Sequence, residues 1–118
     1  MKEIINLDYQ SRTPIYEQII DEIERYVVLG ILKPEEQLPS VRELATELGI
    51  NPNTVKKAYT ELERKGVTVT ISTKGTYIAY NTEKIVEAKI EEKLKEIRKL
   101  VKDIELMGLT EEEIKKKI

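Results

Sequence analysis

The side chains able to do chemistry crowd into the middle of this sequence. Ser40 and Arg42 come first, then Asn51, Asn53, Thr54, Lys56, Lys57 and Thr60, and finally Lys74 and Gly75. Hydroxyls, carboxamides and cations of this kind grip phosphate oxygens and read base edges in a groove. Covalent catalysis has little to work with. Histidine and cysteine are both absent, which excludes disulfides, thiolate or imidazole zinc sites, and Ser-His-Asp or Cys-His nucleophiles. An enzyme would need a carboxylate pair or a lysine in a pocket. There is no glycine-rich phosphate loop, and the acidic residues fall on helix surfaces. Neither a metal nor a cofactor is expected.

The formal net charge of −2 must be resolved by region before it bears on nucleic acid. Residues 1–39 carry 4 basic and 8 acidic side chains, residues 40–80 carry 6 and 4, and residues 81–118 carry 10 of each. The positive excess therefore coincides with the donor-rich stretch, and a local basic face matters more for phosphate contact than the total. No apolar run approaches the roughly 18–20 residues of a membrane span, and the N-terminus lacks a signal-peptide pattern. A cytoplasmic protein that does not engage a membrane is the expectation.

The elements that position these donors are marked by caps and terminators. Ile4-Ile5-Asn6-Leu7 reads as a short edge strand. Thr13-Pro14 supplies a cap and first-turn proline for a helix whose apolar face is Ile15, Ile19, Ile23 and Tyr26/Val27, stopped at Gly30. Residues 31–39, with Pro34 and Pro39, read as a connecting loop. Ser40-Val41-Arg42-Glu43 is a capping box, and Val41, Leu44, Ala45 and Leu48 form an inward stripe ended by Gly49. Asn51-Pro52 then caps a second helix with Val55, Ala58, Tyr59 and Leu62 on one face and Gly66 as its terminator. Two short helices separated by Gly49-Ile50-Asn51 predict a helix-turn-helix pair. Val67, Val69 and Ile71 alternate with polar residues, Ser72–Gly75 is a turn, and Thr76–Tyr80 returns, making a hairpin. Thr82 caps a long helix to about Met107, Gly108 breaks it, and Thr110-Glu111-Glu112-Glu113 is a second capping box opening a last helix.

With Val55, Ala58, Tyr59 and Leu62 buried, a 100° step turns Asn53, Lys57, Thr60 and Arg64 outward, with Lys56 on the flank. An arbitrary helix with this face would merely be solvated; the capped helix before it and the hairpin after it favour DNA. Arg42 is a cation near a helix N-terminus, unfavourable there unless it binds an anion such as phosphate or pairs with a nearby carboxylate. The hairpin tip, Thr73-Lys74-Gly75, either reaches a minor groove or phosphate or is purely structural. Gly75 is expected to supply a positive φ. Ile90, Leu94, Ile97, Val101 and Ile104 step by 4, 3, 4 and 3, a heptad rhythm. This stripe either folds back on its own domain or pairs with a second copy; five successive positions exceed what one short domain covers, which favours dimerisation.

Four runs together resemble the GntR family of bacterial and archaeal transcription regulators. They are Pro14–Ile19, Leu38–Ala45, Asn51–Tyr59 and Lys74–Ile78, and the resemblance covers residues 9–80 densely. The short tail around Met107–Ile114 looks like the YtrA-type subfamily, whose C-terminal part is a compact dimerisation unit. The resemblance implies that Arg42 is a DNA-contacting arginine, that Asn51, Asn53, Thr54 and Lys56 fall on recognition-helix contacts, and that Gly75 is the wing glycine near the minor groove. The chain departs from the family at Lys56 and Lys57, where arginines are common, and in a shorter, less basic wing. Lysine lacks the bidentate fork of arginine, so these two positions suit phosphate and base specificity falls to Asn51, Asn53 and Thr54.

The expected fold is α+β: a winged helix-turn-helix domain over residues 1–80, followed by a short two-helix C-terminal dimerisation arm over residues 81–118. The expected function is a sequence-specific DNA-binding transcription regulator, a repressor by resemblance, binding a palindromic operator in double-stranded DNA as a homodimer. The alternative is a winged-helix module that docks another protein. The resemblance leaves room for a small-molecule effector at the junction of the two parts or at the dimer seam.

Overall fold

A computed structural model describes residues 5–118. Five helices and one hairpin follow in the order α1 (Ile15–Val28), α2 (Val41–Leu48), α3 (Pro52–Arg64), β1 (Thr68–Ile71), β2 (Gly75–Ile78), α4 (Thr82–Leu106) and α5 (Glu111–Lys117). This is a winged helix-turn-helix fold with additional C-terminal helices. Two compact units divide it, one ending at Ile85 and the other spanning Val86–Ile118.

In the first unit the local signals set the helix ends. The Ser40 hydroxyl accepts from the Glu43 N–H at 3.1 Å while the Glu43 carboxylate accepts from the Ser40 N–H at 3.1 Å, so the capping box is complete. Gly49 closes α2 in the left-handed conformation at φ 67°. Two residues later Asn51 caps α3, its Oδ1 accepting from the Asn53 N–H at 2.8 Å, with Pro52 as the first helical residue. At the end of α1 the Ile31 N–H reaches the Tyr26 carbonyl and the Gly30 N–H the Val27 carbonyl, a Schellman pair made possible by the positive φ of Gly30.

The apolar faces then meet. α1 and α2 both pack on α3, and Ile19, Ile23, Tyr26, Leu44, Val55, Ala58, Leu62 and Ile78 are completely enclosed. The four inward residues expected of α3 are all buried. The Tyr59 hydroxyl donates to the Pro39 carbonyl at 2.7 Å and ties α3 to the start of α2. Lys65 Nζ lies 2.8 Å from the Glu24 carboxylate, which is almost fully buried, and this ion pair joins the end of α3 to α1. Ile85, in the first turns of α4, joins the same core.

Three local readings change. The described part of the N-terminal run, Ile5–Leu7, is not a strand, and Ile4 lies outside the described residues. Ile5 instead plugs the core, and the Gln18 side chain clamps this segment, accepting from the Asp8 N–H at 2.8 Å and donating to the Asp8 and Thr13 carbonyls. Thr13 does not cap α1: Pro14 holds the cap position without a side-chain bond, and the Thr13 carbonyl is taken by Gln18. Thr82 is the first helical residue of α4 rather than the residue before it.

The hairpin pairs Thr68 with Ile78 through Ile71 with Gly75 in antiparallel register. The loop before α2 also contributes to it. Glu35 donates to the Ile78 carbonyl, Ile78 to the Glu36 carbonyl and Leu38 to the Thr76 carbonyl, with a bridge between Gln37 and Tyr77. Residues 35–38 thereby line the second edge of β2.

In the second unit the Thr110–Glu113 capping box is also complete, and Ile114 is buried. Acidic residues fill the first turn of α5 and lysines the last, the arrangement the helix dipole favours. Along α4, Ile90, Leu94 and Ile97 are exposed while Val101 and Ile104 are half-buried. Leu100, Leu106 and Met107 are exposed as well. Among the described residues no helix is long and apolar enough to cross a membrane, and no cluster of metal-ligating side chains occurs.

Candidate nucleic-acid interface

The candidate donors sit on three pieces of the first unit: the start of α2, the outward side of α3, and the wing tip between β1 and β2. Each is held by the contacts just described. The stripe buried against α1 and α2 leaves Asn53, Lys56, Lys57, Thr60 and Arg64 exposed on α3. Thr54 is half-buried at the edge of this face.

At the start of α2, Arg42 is exposed and makes no ion pair among the described residues. It occupies the second helical position, where the N–H groups of Val41 and Arg42 have no intrahelical acceptor. The helix end and the guanidinium together favour an anion. Ser40 uses its oxygen to cap the helix, and its hydroxyl faces the Glu43 carboxylate. The bonds from the Ser40 backbone and hydroxyl hold the Glu43 carboxyl below its usual range, so the box carries a carboxylate at neutral pH.

On α3 the side chains divide by what they already bond. Asn53 and Lys56 have side chains with no partner among the described residues. Asn51 spends its oxygen on the cap and keeps its amide N–H groups. The Thr60 hydroxyl donates to the Lys56 carbonyl at 2.9 Å and faces outward as an acceptor. Arg64 is engaged with Glu61 at 2.8 Å, which holds the Glu61 carboxyl below its usual range. Lys57 stands apart from this set: its Nζ lies 4.0 Å from the centroid of the Tyr16 ring, a cation–π contact that draws the ammonium toward α1. Tyr16, Glu17, Lys57, Glu61 and Arg64 border an open groove of about 420 Å³ between α1 and α3. No periodicity or spacing in the chain links Tyr16 to Lys57, so this partner was not legible beforehand.

At the wing, Lys74 is exposed and its side chain has no partner among the described residues. Gly75 has φ 126°, the positive value expected of it, and Thr73 adopts φ 68° without being glycine. The Lys74 N–H bonds the Ile71 carbonyl at 3.0 Å, closing the turn. The donors thus form three exposed groups on one unit, and in them Arg42, Lys56 and Lys74 are cations with no ion pair among the described residues.

Comparison with known proteins agrees with this architecture. The model of the bacterial regulatory proteins, gntR family, matches residues 15–78. Over 112 residues the chain is 45% identical to the HTH-type transcriptional repressor YtrA of Bacillus subtilis (strain 168), covering 94% of this chain and 86% of that protein. A transcriptional regulator from Oenococcus oeni superposes with a TM-score of 0.85 at 38% identity, covering 93% of this chain and 92% of that one. AraR(DBD) in complex with operator ORE1 superposes with a TM-score of 0.55 at 27% identity, covering 63% of this chain and 90% of that one. These relatives are regulators rather than enzymes. With the helix pair, the wing and the matched span in agreement, the chain belongs to the gntR family of bacterial regulatory proteins and is YtrA-like among them.

Proposed function

We propose that this protein is a sequence-specific DNA-binding transcription regulator, acting as a repressor, that binds a palindromic operator as a homodimer in the cytoplasm. The observation that carries the reading is the outward side of α3, where the exposed Asn53 and Lys56 have no side-chain partner among the described residues, together with the exposed Arg42 of α2. Asn51, Asn53 and Thr54 read base edges, while Arg42, Lys56 and Lys74 contact phosphates. Ser40, Thr60 and Gly75 line the same contact, and Lys57 adds charge at its margin. The operator complex of AraR(DBD) and the repressor name of YtrA support both the partner and the direction of control.

The apolar stripe of α4 supports the dimer. Ile90, Leu94 and Ile97 are exposed in a single copy, with Val101 and Ile104 continuing the stripe. Covering such side chains with those of a second copy removes apolar area from water at roughly 25 cal/mol per Å². Two recognition helices related by a two-fold axis read half-sites about 10 bp, or a multiple, apart. A gel shift against the promoter upstream of the protein's own gene tests the reading. A sequence-dependent shift that weakens steeply with salt is expected; no preference over unrelated DNA would replace it with a protein-docking module.

A further inference from the structure

Gln37 lies in the loop before α2, outside the hairpin, yet it touches the wing tip. Its Nε2 donates to the Lys74 carbonyl at 3.0 Å, and its backbone bridges to Tyr77. The Tyr77 hydroxyl donates to the same carbonyl at 3.3 Å, so two donors converge on one oxygen. Gly75 makes room for this approach: a β-carbon at residue 75 would sit 2.7 Å from Gln37 Nε2. The glycine therefore serves a contact inside the protein as well as its unusual φ. The turn it follows carries Thr73 at φ 68°, a conformation a β-branched residue resists, so an outside donor has a strained tip to restrain.

We infer that Gln37 is a positioning residue for DNA binding: through the Lys74 carbonyl it fixes the wing tip so that the Lys74 side chain meets the duplex. The inference rests on the reading that the wing contacts DNA. The loop that carries Gln37 runs directly into Leu38, Pro39 and the Ser40 cap of α2. One segment thereby sets both the wing and the start of α2, which keeps Lys74 and Arg42 in fixed register.

The test uses the full chain and a duplex recovered by the wild-type protein from a random DNA pool. Gln37→Met keeps the length of the side chain and removes the donor. Losing one hydrogen bond that orders the tip is expected to weaken binding about fivefold, with the melting temperature unchanged because residue 37 is exposed. Lys74→Ala is expected to weaken binding by itself, and the double variant to bind no worse than Lys74→Ala alone, since Gln37 acts only through that lysine. Amide exchange at Lys74 should also rise in Gln37→Met. Wild-type affinity in Gln37→Met alongside weakened Lys74→Ala overturns the role of Gln37 and leaves the wing contact standing. Unchanged affinity in Lys74→Ala removes the wing contact itself, and the inference with it. Additive losses, or a clear fall in melting temperature, reduce Gln37 to a structural residue.

Discussion

Replacing Arg42 with alanine separates binding from folding because the two effects have opposite signs. The guanidinium is exposed at the second position of α2 and makes no ion pair among the described residues. A cation there opposes the helix dipole, and removing it should stabilise the protein by about 0.5 kcal/mol. That corresponds to a rise in melting temperature of about 3 °C for a domain of this size. On DNA the loss is one charge-assisted bond to phosphate, about 1.5–3 kcal/mol, so Kd should rise at least about tenfold. The slope of log K against log salt should also shrink by about one. Thermal melts monitored by circular dichroism and fluorescence-anisotropy titrations at several salt concentrations give all three quantities. An unchanged Kd would falsify the phosphate contact, and a fall in melting temperature would show that Arg42 supports the fold.

Other consequences follow from the same geometry. Thr68 is buried against the core with no partner for its hydroxyl among the described residues, so Thr68→Val should raise stability by about 1 kcal/mol in urea unfolding; a destabilised variant would mean that the hydroxyl has a role in the fold. Leu94→Glu with Ile97→Glu should yield a monomer by sedimentation at micromolar concentration and cost about a hundredfold in operator affinity, whereas a retained dimer would move the seam elsewhere. Burial pushes the Tyr59 phenol above its ordinary value of 10.0. Its contribution to stability is therefore complete below pH 10 and is lost as pH rises through the folded-state value; melts from pH 8 to 11 should show the decline begin, and Tyr59→Phe should make it shallower, the remainder belonging to Tyr26, whose phenol burial also raises. An equally steep decline in that variant would assign the alkaline transition to another group.

What was legible in the sequence was local. The Ser40–Glu43 and Thr110–Glu113 boxes, the Asn51-Pro52 start and the terminators Gly49 and Gly66 each act within a few residues, and all of them operate as their chemistry dictates. The buried stripe of α3 follows from its 3.6-residue period, and with it the identity of the outward side chains. Non-local pairing was not legible. Residues 35–38, flanked by Pro34 and Pro39, have the composition of a connecting loop, and only the free edge of β2 makes them a partner of the wing. Ile5–Leu7 shows the reverse, since these β-prone residues form no strand where they pair with no sheet edge among the described residues and Ile5 is drawn into the core. Lys57 over Tyr16 and Lys65 against Glu24 likewise depend on how α1 crosses α3, which no spacing encodes. At the candidate interface, residue types and the Asn51 cap were therefore readable, while the existing engagements of Lys57 and Arg64 were not.

The claim that the outward side of α3 reads DNA sequence is tested most directly by selecting duplexes from a random pool with the purified protein and with its Asn53→Ala variant. The wild type should enrich a two-fold symmetric consensus with half-sites about 10 bp, or a multiple, apart. Asn53→Ala should relax preference at one symmetric pair of positions and leave the others intact, at about 1–3 kcal/mol of lost discrimination. A pool with no enriched consensus, or a consensus identical in both proteins, would contradict the account.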